Sequence, residues 1–200
     1  NVQALMWKAI TCRSMKRSKE AIELSSRAIE LAPNNHVAYM IQCFDYASVF
    51  QYENAEKAAR KSVSLKPDYG LGHNALFNAL AMQDNKKEEL KKHIENLESL
   101  TNKDWGIEQT IFIYHYYFGT EESFRKAADH LKSKADLSNY ELSAFPLFFF
   151  CTGEKELGYK HLEDGIKNGG IALMGTHRFF IEWDIIKDEE RYKALYGDNY

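Results

Sequence analysis

The feature that most constrains this chain is a period of 34 residues. Pro33 and Pro67 stand one period apart, and each closes an apolar-periodic run that starts at Ala21 or Ala55. Within the runs Ala21 is followed by Ala28, and Ala55 by Ser62. Seven residues is about two helical turns, so each small pair lies on one face. Small side chains there let a second helix approach closely, towards the ~8 Å lower limit of helix packing. Proline cannot continue a helix and sets the stop. Asn34, Asn35 and Asp68 then offer the side-chain oxygens that cap a following helix. Upstream of the second run, Tyr39, Gln42, Cys43 and Tyr46 share one face of a further helix. The predicted unit is a helix, a short turn, a helix and a stop. Repeated in line, such units share their apolar faces with their neighbours.

Composition removes several rival classes. The 200 residues are 44% hydrophobic, enough for a core, and hold only 3 Pro and 11 Gly, few for a turn-rich β protein. Residues 1–100 carry 14 basic and 12 acidic side chains and residues 101–200 carry 12 and 17, so neither half is a nucleic-acid-binding arm or an acidic tail. No apolar stretch reaches the roughly 18 residues a membrane span needs. Cys12, Cys43 and Cys151 are isolated, which fits free thiols in a reducing, cytoplasmic setting. The opening on Asn1 predicts a fragment or processed product. No helical His pair, phosphate-binding glycine loop or nucleophile elbow occurs, so no metal, cofactor or catalytic apparatus is predicted. A Cys151–His161 thiol–imidazole pair is the weak route to a hydrolase.

The residues at the period resemble those of the tetratricopeptide repeat family. That pattern has a bulky residue at position 4, small ones at 8, 20 and 27, an aromatic or Leu at 11 and Pro at 32. Residues 2–35 match it with Leu5, Ala9, Ala21, Ala28 and Pro33. Residues 36–69 match with Tyr39, Cys43, Tyr46, Ala55, Ser62 and Pro67. Extending the period predicts units at 70–103, 104–138 and 139–170. The third departs at Phe77, Glu89, Asn96 and Thr101, and the fourth at His130. The fifth carries Gly158 and Gly165 at its small positions and Pro146 where a kink or late start is expected.

The resemblance implies an all-α, right-handed superhelical solenoid over residues 2–170. Residues 171–200, rich in aromatics, would be a closing helical cap. Their Lys187, Asp188, Glu189, Arg191, Tyr192 and Leu195, with Glu190 in place of the usual proline, resemble a closing element of bacterial relatives, in which the array often serves a larger signalling or transcription protein. In this family the first helices line a concave groove. The implied lining includes Met6, Ile10, Met40, Phe44, Asn74, Asn78, Phe112, His115, Tyr116 and Tyr140. Such a groove would bind a protein or peptide ligand, with Asn amides for an extended backbone and Met and aromatic residues for adaptable apolar contact. Chaperone-tail binders of the family need Lys, Asn and Asn at clamp positions that here hold Met6, Ile10 and Ile41. Trp105, Phe112 and Tyr116, if exposed together, would favour a homo-oligomer.

Overall fold

A computed structural model describes residues 1–134, 146–167, 185–186 and 188–196. Among them the chain is helical, without strands. The helices are α1 (Val2–Ser14), α2 (Ser18–Leu31), α3 (His36–Ala47), α4 (Tyr52–Leu65), α5 (Gly70–Ala81), α6 (Lys87–Ser99), α7 (Trp105–Phe118) and α8 (Glu121–Lys134). Three more follow: α9 (Pro146–Cys151), α10 (Lys155–Lys167) and α11 (Glu190–Tyr196). Consecutive helices pack as pairs, α1 on α2 and α3 on α4, and α2 also packs on α3 and α4 on α5. The chain forms two compact units, Asn1–Thr110 and Ile111–Tyr200.

In the first unit the expected small positions are the contact points. Ala9, Ala21, Ala28, Cys43, Ala55 and Ser62 are all buried. Ser62 Oγ uses its closeness to donate to the His36 carbonyl at 2.8 Å. Asn35 caps α3 as its residue type predicts, accepting from the Val37 and Ala38 amides at 3.0 and 3.3 Å.

The Asp68 expectation is corrected. Tyr69, not Asp68, stands at the start of α5 and makes no side-chain cap. Asp104 takes that role from the next pair: its Oδ2 accepts from the Gly70 amide at 2.8 Å, while its Oδ1 accepts from Ile107 N at 2.8 Å. One carboxylate therefore serves two helix N-termini, where negative charge is favourable. The starts of α5 and α7 run so close that a Cβ on Gly106 would lie 3.0 Å from the Gly70 backbone.

The third repeat departs from the pattern for a physical reason. Its turn contains an added single turn of 3-10 helix, Asp84–Lys86. The buried residues of α6 are Leu90, Ile94 and Leu97, one place later than Glu89 and Asn96. The slip carries into the fourth pair, where Leu131 is buried and His130 exposed. There Thr120 and Ser123 cap α8 reciprocally, at 3.0 and 3.2 Å.

The second unit has an aromatic core of Phe112, Phe148, Phe149, Phe150 and Tyr159. Pro146 is the first described residue of α9, and the residues before it, on which the expected kink or late start depends, lie outside the described ones. Gly158 is needed for close approach, since a Cβ would lie 2.9 Å from the Phe150 ring. The side-chain surroundings of Gly165, and the apolar run 171–183, lie outside the described residues. The closing motif docks on α10. Arg191 lies 4.3 Å over the Tyr159 ring and pairs with Glu156 and Glu163, while Glu189 accepts from Tyr159 Oη at 2.8 Å.

Candidate functional site

The expected groove residues divide by burial. In the first unit Ile10, Phe44 and Asn74 are half-buried and keep surface to offer. Met6, Met40 and Asn78 are buried, which corrects their placement as ligand-facing. Asn78 lies where α5 is enclosed on every side, from Ala75 to Leu80, and its amide donates to the Asn74 carbonyl at 3.0 Å and the Asn74 side chain at 3.3 Å. In the second unit Phe112 is fully buried, its ring 5.5 Å from Phe124 and 5.3 Å from Phe148. It is core, and the proposed exposed trio of Trp105, Phe112 and Tyr116 does not exist as a patch. His115 and Tyr116 are half-buried, Tyr116 standing edge-on to Phe124 at 5.4 Å. Tyr140 lies outside the described residues.

Sequence reasoning missed Leu71. It occupies position 2 of the third repeat, equivalent to Val37 of the second, and is 49% exposed. An apolar residue in the first turn of a helix with a glycine on either side was the available signal.

Close to the Phe44 ring lies a buried ion pair. Arg13 Nη1 meets Asp45 Oδ1 at 2.5 Å, with both side chains almost wholly buried. The Arg13 guanidinium also stands 5.6 Å from the centroid of the Phe44 ring. Burial raises the Asp45 carboxyl above its ordinary range, opposed by Arg13 and by a hydrogen bond from Ser25. The pair joins α1 to α3 and fixes how the first helix of one repeat lies on the next.

The chemistry for catalysis is weak. Burial pushes the thiols of Cys12 and Cys43 up, away from the reactive thiolate. His161 stacks on Phe149 at 4.9 Å. Among the described residues no cluster of three metal-ligating side chains occurs and no helix is long and apolar enough to cross a membrane.

Stacked helix pairs with small residues at their contacts and mixed apolar and amide residues on their first helices define a helical-repeat protein. Residues 2–35 match the model of the tetratricopeptide repeat family. It is similar to the Hsp70-Hsp90 organizing protein of Triticum aestivum, 43% identical over 63 residues, which is 32% of this chain and 11% of that protein. It is also similar to the Protein STIP1 homolog of Dictyostelium discoideum, 34% identical over 67 residues, 34% of this chain and 12% of that one. The chain thus matches only about a tenth of the length of these relatives.

Proposed function

We propose that this chain is a non-catalytic protein-binding scaffold whose first unit holds an extended peptide on its first helices. The observation that carries this is the equivalence of Ile10 and Phe44. They occupy the same position of successive repeats and both stay half-buried, though their neighbours Ala9 and Cys43 are fully enclosed. Leu71 and Asn74 extend the row onto α5. A ligand there would gain apolar contact from Ile10, Phe44 and Leu71 and an amide partner in Asn74, at ~25 cal/mol per Å² of apolar burial before ordering costs.

One of the relatives is an Hsp70-Hsp90 organizing protein, which supports a protein ligand. Met6, Ile10 and Ile41 stand where a carboxylate clamp would need Lys and Asn, which favours an internal segment over a free C-terminus. Peptides selected from a displayed library should bind wild type, and Phe44→Ala and Asn74→Ala should each weaken them about fivefold or more, read by calorimetry. Binding unchanged in both variants would place the ligand elsewhere. Stronger binding of peptides with a free C-terminal carboxylate would overturn the preference for internal segments.

A further inference from the structure

The turns inside successive repeats share one hydrogen-bond pattern. In the first repeat Lys16 N donates to Arg13 O at 2.9 Å and Arg17 N to Cys12 O at 2.8 Å. In the second, Phe50 N donates to Ala47 O at 2.9 Å and Gln51 N to Tyr46 O at 3.0 Å. In the fifth, Gly153 N donates to Phe150 O at 3.3 Å and Glu154 N to Phe149 O at 2.7 Å. All three are helix ends whose central residue must be left-handed, and φ is 61° at Lys16, 61° at Phe50 and 86° at Gly153. Glycine adopts that conformation freely. A bulky side chain does so at a cost of roughly 1 kcal/mol or more.

Phe50 is therefore in the wrong place for stability twice over. Its backbone is strained, and its side chain is 65% exposed. Met15, beside the strained Lys16, is 61% exposed. The Arg13–Asp45 ion pair joins the last turns of α1 and α3, and Met15 and Phe50 stand in the turns that follow those two helices. Tyr52 adds a half-buried ring 6.2 Å from Phe50, edge-on.

Around this apolar edge basic side chains outnumber the acidic Glu20 and Glu53. Lys16, Arg17 and Lys19 are exposed within five residues that contain no acid. Lys19 sits in the first turn of α2, where the helix dipole disfavours a cation, so helix stability does not account for it. Arg17 is answered by Glu20, a single acid that also takes Lys8.

We propose that the paired turns Met15–Arg17 and Val49–Gln51 are a second docking edge, separate from the groove, for an acidic peptide segment bearing an aliphatic or aromatic anchor. Phe50, Met15 and Tyr52 grip the anchor, and Lys16, Arg17 and Lys19 draw its acidic flanks. The strain at Phe50 is retained because it holds the ring outward.

The test is anisotropy of a fluorescein-labelled peptide with a Leu-Phe pair between glutamate runs, titrated with the purified 200-residue chain. Wild type is expected to bind it at least tenfold more tightly than the same peptide with lysines for glutamates or with Ala-Ala for Leu-Phe. Phe50→Gly should weaken binding at least tenfold while raising Tm, a combination that a structural role for the ring would not give. Lys16→Glu with Lys19→Glu should weaken binding and flatten its salt dependence, whereas Leu71→Ala in the groove should leave it unchanged. Equal binding by Phe50→Gly and wild type, equal binding of the lysine peptide, or no binding by wild type would overturn the proposal. Sedimentation showing a wild-type dimer dissolved by Phe50→Gly would assign the edge to a second copy instead.

Discussion

Lowering the pH should unfold this chain partly through one imidazole. His93 on α6 stacks on His73 of α5, ring centroids 5.3 Å apart. His73 Nε2 is engaged with the Pro67 carbonyl at 2.8 Å. Burial, and then the neighbouring His73, lower His93 from 6.5 to about 4, and the more distant Arg60 acts in the same direction. The folded pKa lies below the unfolded one, so between these values the unfolded chain binds more protons. The stabilisation is then complete above pH 6.5 and lost as pH falls towards 4. Each pKa unit corresponds to about 1.4 kcal/mol, so the loss from pH 7.5 is about 2 kcal/mol at pH 5 and about 3 kcal/mol at pH 4. Other groups titrate in that range, so the measurement is a difference. Urea midpoints of wild type and His93→Phe, which keeps a ring against His73, are compared from pH 7.5 to pH 5. The variant should lose about 2 kcal/mol less than wild type over that interval. Parallel curves would refute the reasoning, whatever the variant's absolute stability.

Breaking the Arg13–Asp45 pair should be costly and repairable. Arg13→Met alone leaves a buried carboxylate and should cost about 3–5 kcal/mol, whereas Arg13→Met with Asp45→Leu should recover most of it, as read by denaturant melts of both variants. Asp104→Ala removes the shared cap of α5 and α7 and should destabilise by about 1–2 kcal/mol, with hydrogen exchange speeding first at Gly70 and Ile107 amides.

What was legible in the sequence was what a period can encode. Ala9, Ala21, Ala28, Ala55 and Ser62 were readable as contacts because only small residues fit where two helix axes come close, and the same spacing located the turns. Asn35 was readable because capping is local. Asp104 was not, because it caps α5 from the start of α7, across a distance no local pattern spans. The groove was half legible for the same reason. Family position separated Ile10 and Phe44 from the enclosed Ala9 and Cys43, but Asn78 lies where α5 is covered on every side, from Ala75 to Leu80, which its position in the period does not encode. Phe112 failed because the 3-10 turn at Asp84–Lys86 had already shifted the register upstream of it.

That slip explains why the likeness to the family fades after the second repeat although helix pairing continues. A stack tolerates an extra residue in a turn provided each later helix still turns an apolar stripe inward. Leu90, Ile94, Leu97 and Leu131 restore such a stripe with large side chains where Ala and Ser stood before. Large side chains hold neighbouring helices further apart than the alanine contacts of the first two repeats. The close Gly70–Gly106 approach and its Asp104 bridge then draw the starts of α5 and α7 back together at one end. The exchange of small contact residues for large ones, with a tight pin at the N-termini, is a local change. It falls immediately beyond Leu71 and Asn74, the last groove residues with surface to offer.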